Sequence, residues 1–129
     1  MKKMLNLLLV FALMIFASVK VSALTFEEAF NQADRKPMVV LIYAQWADGY
    51  QTTLQQYRTV KAQMGNKFNF VELDIASKDT KSFNSRYHIY PNLPYILMFR
   101  DGGRVSRYIQ RSCAADAACT TSKLKSFIQ

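Results

Sequence analysis

The sequence predicts an α/β domain, a mixed sheet of about four to five strands with helices on both faces. Three observations carry this. Met38 to Tyr43 is an unbroken, partly β-branched apolar run, the pattern of a strand buried on both faces. Helix and strand periodicities alternate through the first half of the chain, so a crossover should join the first strands in parallel. Later, two strand-like runs flank Asp101-Gly102-Gly103, a tight-turn composition, so the last two strands should be antiparallel.

The elements follow in order. Thr25 and Glu28 form a capping box, with Phe26, Ala29, Phe30 and Ala33 on one helical face. Pro37 stops that helix, and the Met38–Tyr43 strand follows. Ala44 to Tyr50 reads as a loop containing Asp48-Gly49. Tyr50, Leu54, Tyr57, Val60 and Met64 recur at helical steps, and Gly65-Asn66 ends that helix. Phe68 to Ile75 is the next strand, and Ser77 to about Tyr87 a short polar helix. His88 to Tyr95 holds Pro91 and Pro94, ahead of a strand over Ile96–Arg100, the turn, and a returning strand over Arg104–Gln110. A loop carries both cysteines. Thr120, Thr121 or Ser122 then caps a last helix with Leu124, Phe127 and Ile128 inward.

The first 23 residues read as a leader rather than as fold. Lys2 and Lys3 start it, Leu5 to Val19 is almost wholly apolar, and Val21-Ser22-Ala23 supplies compact residues at a cleavage site. Residues 1–23 are therefore expected to be a cleavable signal peptide, and residues 24–129 one domain. A membrane anchor is the competing reading, but the run is short for a spanning helix and a cleavage pattern follows it. No cysteine lies in or just after the leader to carry a lipid. The expected location is outside the cytoplasm, periplasmic or secreted, with no stable membrane anchor after cleavage.

The 129-residue chain carries a formal charge of +8. Lys2, Lys3 and Lys20 belong to the leader, so the domain itself is less basic. No arginine-rich run or basic-aromatic stripe points to nucleic acid. His88 is the only histidine and has no cysteine or nucleophile beside it, so neither a metal site nor a His-assisted hydrolase is expected. No phosphate-binding glycine loop occurs, so no cofactor is expected. Asp48 reads as a turn or cap residue.

Export places Cys113 and Cys119 where disulfides persist, and an intramolecular bridge is the simplest pairing. Closing so short a loop contributes about 2 kcal/mol through the unfolded state. A structural staple, a relocated redox pair, and intermolecular or free thiols all remain open. The spacing lacks the compact Cys-x-x-Cys arrangement that lowers a thiol pKa at a helix start.

Lys36 to Trp46 resembles the strand that leads into the thioredoxin active site, with Trp46 where that family's tryptophan precedes its Cys-x-x-Cys. Val71 to Ile75 resembles the following strand. Leu93 to Val105 resembles the segment from the family's cis-proline through its hairpin. The resemblance to the thioredoxin-like superfamily spans nearly the whole domain, and it implies the thioredoxin fold. It also implies that the dithiol positions are Ala47 and Tyr50, and that the family's buried acid falls at Leu41. Alanine cannot attack a disulfide and tyrosine cannot resolve a mixed one. An acid with no thiol to serve would be an uncompensated buried charge, which leucine removes.

By the same resemblance, Pro94 is the family's proline beside the active-site loop. Leu93 before it would offer backbone groups to an extended segment, as in strand addition. Pro94 serving only to shape its loop is the other reading. One extra residue between Tyr87 and Pro94, at Asn92 or Pro91, suggests a bulge. The cysteine bridge would border the vacant site, and Tyr43, Trp46, Tyr50, Tyr90 and Tyr95 would gather there. The expected function is thus a non-catalytic polypeptide-binding, chaperone-like or assembly factor, without redox chemistry at the vacant site. Its binding surface would be Trp46, Tyr50, Leu93, Pro94 and Tyr95, and its partner a polypeptide or an envelope assembly. The alternative is a thiol-disulfide oxidoreductase using Cys113 and Cys119.

Overall fold

A computed structural model describes residues 24–129; the expected signal peptide, residues 1–23, lies outside them. Four strands form one mixed sheet: β1 (Met38–Tyr43), β2 (Asn69–Asp74), β3 (Tyr95–Arg100) and β4 (Val105–Ile109). Their spatial order is β2-β1-β3-β4. β1 runs parallel to β2 and antiparallel to β3, and β4 returns antiparallel beside β3. The apolar run of β1 is explained by this central place. Met38 to Ile42 are all buried, and neighbours flank the strand on both sides.

Side chains alternate across the sheet and feed two cores. One face carries Val40, Ile42, Leu73, Tyr95, Leu97 and Phe99. The helices α1 (Phe26–Phe30) and α3 (Thr80–Asn84) cover it with Phe26, Ala29 and Phe83. The other face carries Val39, Leu41, Ile96, Met98 and Ile109. It is covered by α2 (Tyr50–Met64), α4 (Arg111–Ala114) and α5 (Ala117–Phe127), through Tyr57, Val60, Leu124 and Phe127. Phe26 is ringed by Phe83, Tyr87 and Phe99 at 5.2, 6.4 and 6.3 Å between centroids, all edge-on, the favoured geometry for aromatic pairs.

Several boundaries differ from the sequence expectation. The capping box at Thr25 forms as expected, yet α1 ends at Phe30 and the chain reaches Lys36 through turns. Ala33 is still buried, held by its N–H bond to Phe30 O. The polar helix is confined to Thr80–Asn84. The cysteine segment is helical rather than a loop. α5 starts at Ala117, because the Asp116 carboxylate accepts from the N–H groups of Ala118 and Cys119. Thr120, expected as a cap, lies inside α5, where its hydroxyl donates to Cys113 O at 3.0 Å. Ile128 falls beyond α5 and is exposed, whereas Leu124 and Phe127 are buried.

Among the described residues, no helix is long and apolar enough to cross a membrane.

Candidate functional site

The segment between β1 and α2 holds the positions singled out in the sequence. Its turns are closed by Ala47 N–H to Ala44 O and Tyr50 N–H to Ala47 O. Gly49 caps α2 with φ +75°, a conformation that favours glycine. Gln45 donates to the Asp74 carboxylate, and Arg111 donates to the Asp48 carbonyl at 2.8 Å. The segment is therefore tied to the end of β2 and to the start of α4.

Within it, Ala47 is buried against the first core. Trp46 is 71 % exposed and takes part in no aromatic pairing among the described residues. Tyr50 is half-buried and stacks on Tyr43, with ring centroids 6.0 Å apart and planes within 4°. Burial, reinforced by the nearby Asp74 and Glu72, pushes the Tyr43 phenol up from its ordinary pKa. Leu41, at the expected place of an acid, is fully buried in an apolar core. No thiol lies in this segment.

The Leu93–Pro94 peptide bond is cis. Leu93, Pro94 and Tyr95 are all buried. The Leu93 N–H, expected to be open to an extended segment, is already bonded to Pro91 O at 2.9 Å. The tight turn that makes this bond is built from Pro91 and Asn92, where the extra residue was expected. Tyr95 is wholly buried, and its hydroxyl accepts from Tyr90 N–H at 3.1 Å. Burial raises its pKa as well.

The five expected aromatic residues do not form one cluster. Tyr43 packs toward the second core and Tyr95 belongs to the first, so the sheet itself lies between them. Tyr43 pairs with Tyr50, whereas Tyr95 joins Tyr90 and Tyr108. Strand alternation decides this. Tyr95 is opposite Ile42, so Tyr43, one residue on, points the other way.

Cys113 and Cys119 are joined, with Cα atoms 5.3 Å apart. The bridge links α4 to the first turn of α5. Cys113 is buried and Cys119 partly exposed. Gln56 on α2 accepts from Ala117 N–H, fixing the same helix start to the neighbouring helix. His88 is exposed, and its ring packs edge-on to Tyr90 at 5.4 Å. No group of three His, Cys, Asp or Glu residues among the described residues is placed to hold a metal.

Sequence reasoning missed Arg111, Tyr108 and the Tyr57 hydroxyl. Tyr108 could have been marked by strand alternation with Ser106. Arg111 gave no local signal, because its partner is distant in sequence.

No protein-family model matches the chain, and no curated protein matches it by sequence. Solved structures do match. A thioredoxin f2 in complex with ferredoxin:thioredoxin reductase superposes with a TM-score of 0.65 at 17 % identity, over 81 % of this chain and 88 % of that one. Chloroplastic thioredoxin z gives 0.60 at 17 % identity, over 84 % and 94 %. The Trx4 domain of ERdj5 gives 0.57 at 13 % identity, over 74 % and 82 %. The fold of this chain is therefore thioredoxin-like, with Ala47 between β1 and α2 and Tyr50 at the first position of α2.

Proposed function

We propose that this chain is an exported, non-catalytic thioredoxin-fold protein that holds polypeptides by contact, in a chaperone-like or assembly role. One observation carries the reading: Trp46 stands 71 % exposed on a segment that has no thiol. Large exposed aromatic side chains of this kind serve as anchors for partners. Tyr50 is the second contact residue. Leu93, Pro94 and Tyr95 are all buried, with Leu93 and Tyr95 in the same core as Ala47, so they offer little contact surface of their own.

The test is suppression of aggregation of an unfolded, reduced polypeptide by the mature chain. Trp46→Ala should abolish it while leaving thermal stability unchanged, because so exposed a side chain contributes little to the core. A Trp46→Ala variant as active as wild type overturns the reading.

A second reading, disulfide exchange through Cys113 and Cys119, is favoured by one observation. Cys119 is partly exposed in the first turn of α5, where a helix N-terminus favours a thiolate. Against it, the Asp116 carboxylate already occupies that N-terminus. A reduction potential below about −300 mV would mark the bridge as structural.

A further inference from the structure

β4 is an edge strand. Among the described residues, no backbone group of Val105–Ile109 is bonded to any element other than β3. An unpaired edge is a template for another strand. Beside it, on the face shared by Leu97 and Phe99, runs an open groove of about 500 Å³. Tyr87, Tyr90 and Tyr108 line it. Tyr90 and Tyr108 are 50 % and 46 % exposed, and their rings meet edge-on at 6.4 Å. α1 and α3 cover other parts of this face and leave the groove open.

The charge along the edge is of one sign. Arg104, Arg107 and Arg111 are exposed, and none has a carboxylate partner among the described residues. The Arg107 guanidinium instead donates to the carbonyl of its own neighbour, Ser106, at 2.8 Å.

We infer that β4 takes an acidic, extended polypeptide segment as an added strand. Its backbone pairs with Val105–Ile109, its alternate apolar side chains enter the tyrosine groove, and its carboxylates meet Arg104 and Arg107. Main-chain pairing supplies affinity in this mode, and pockets for every second side chain supply specificity. The charge complementarity favours this occupant over a second copy of the chain, whose own β4 would bring like charge to like. The inference does not rest on the Trp46 reading, because the two surfaces use different residues.

The probe is a capped peptide alternating glutamate with valine around a central phenylalanine, titrated against the mature chain by NMR and fluorescence anisotropy. Amide shifts should centre on Ser106–Tyr108. Arg104→Glu/Arg107→Glu should weaken binding at least about tenfold. Alternate N-methylation along one edge of the peptide should abolish it, whereas Trp46→Ala should leave it unchanged. Equal binding of a lysine-for-glutamate peptide, undiminished binding of the N-methylated peptide, or shifts centred on Trp46 would each overturn the inference. So would no detectable binding at millimolar peptide, or a dimer of the free chain formed through Val105–Ile109.

Discussion

The Arg111 guanidinium donates to the Asp48 carbonyl at 2.8 Å, across 63 positions of sequence. Asp48 belongs to the segment that carries Trp46, and Arg111 opens the helix that carries Cys113. The segment between β1 and α2 is therefore held partly from the cysteine helices.

Arg111→Ala should release that hold. A bond from a charged side chain to a backbone carbonyl at an exposed position contributes about 1 kcal/mol. Urea unfolding should show a loss of that order, and amide exchange should speed up at Gly49 and Tyr50. Unchanged exchange there would mean that the segment is held by its own turns.

Tyr57 should be the most costly hydroxyl to remove. It is fully buried, lies 2.8 Å from Val39 O and 2.7 Å from Val71 O, and accepts from Val71 N–H at 3.1 Å. It therefore sits in the seam between β1 and β2. Tyr57→Phe leaves those backbone groups short of a partner in an apolar core, at a cost of about 1–3 kcal/mol. Chemical denaturation reads this directly.

The same residue gives an alkaline limit. Unfolded, a tyrosine ionises near 10.0, whereas burial holds Tyr57 neutral well above that value. Above pH 10 the folded state therefore binds more protons than the unfolded one, so stability falls as pH rises. Tyr43, Tyr87 and Tyr95 are shifted the same way, chiefly by burial. Melting temperature should hold up to about pH 10 and decline beyond it. The decline should be shallower in Tyr57→Phe.

Breaking the Cys113–Cys119 bridge should cost about 2 kcal/mol, the loop-closure entropy of a short loop. Cys113→Ser/Cys119→Ser should lose about that much stability in urea unfolding and keep its sheet by circular dichroism. Thr120 and Asp116 still tie the two helices together through Cys113 O and the α5 cap.

Two glycines should respond differently to alanine. Gly49 has φ +75° and no atom within 4 Å of where a Cβ would stand. Gly49→Ala should cost about 1 kcal/mol, from backbone strain alone. Gly103 has φ +85°, and its Cβ would lie 2.7 Å from the Phe30 ring. Gly103→Ala adds about 1–3 kcal/mol of overpacking. Equal melting temperatures for the two variants would contradict the packing at Phe30.

Much of the fold was legible in local pattern. The apolar run of β1, the three- and four-residue steps of α2, and the Asp-Gly-Gly hairpin each report backbone period or turn chemistry within a few residues. The start of α5 was not legible, because Asp116, Thr120, Thr121 and Ser122 are all suitable caps. Burial of Thr120 against Cys113 decided between them. The aromatic site was misread for a related reason: Tyr43 and Tyr95 are close in strand register but on opposite faces.

From the sequence alone came the order of the strands and of the helices between them, the mixed sheet, the absence of thiols at Ala47 and Tyr50, and the single cysteine pair. These depend on residue identity and short-range periodicity. Tertiary structure alone decided that Leu93 N–H is already bonded within its own turn, that β4 has an open edge beside a tyrosine groove, and that Arg111 reaches Asp48. The physical reason is that hydrogen-bond satisfaction and exposure are set by which distant segments come together, and no local window of the chain contains both partners.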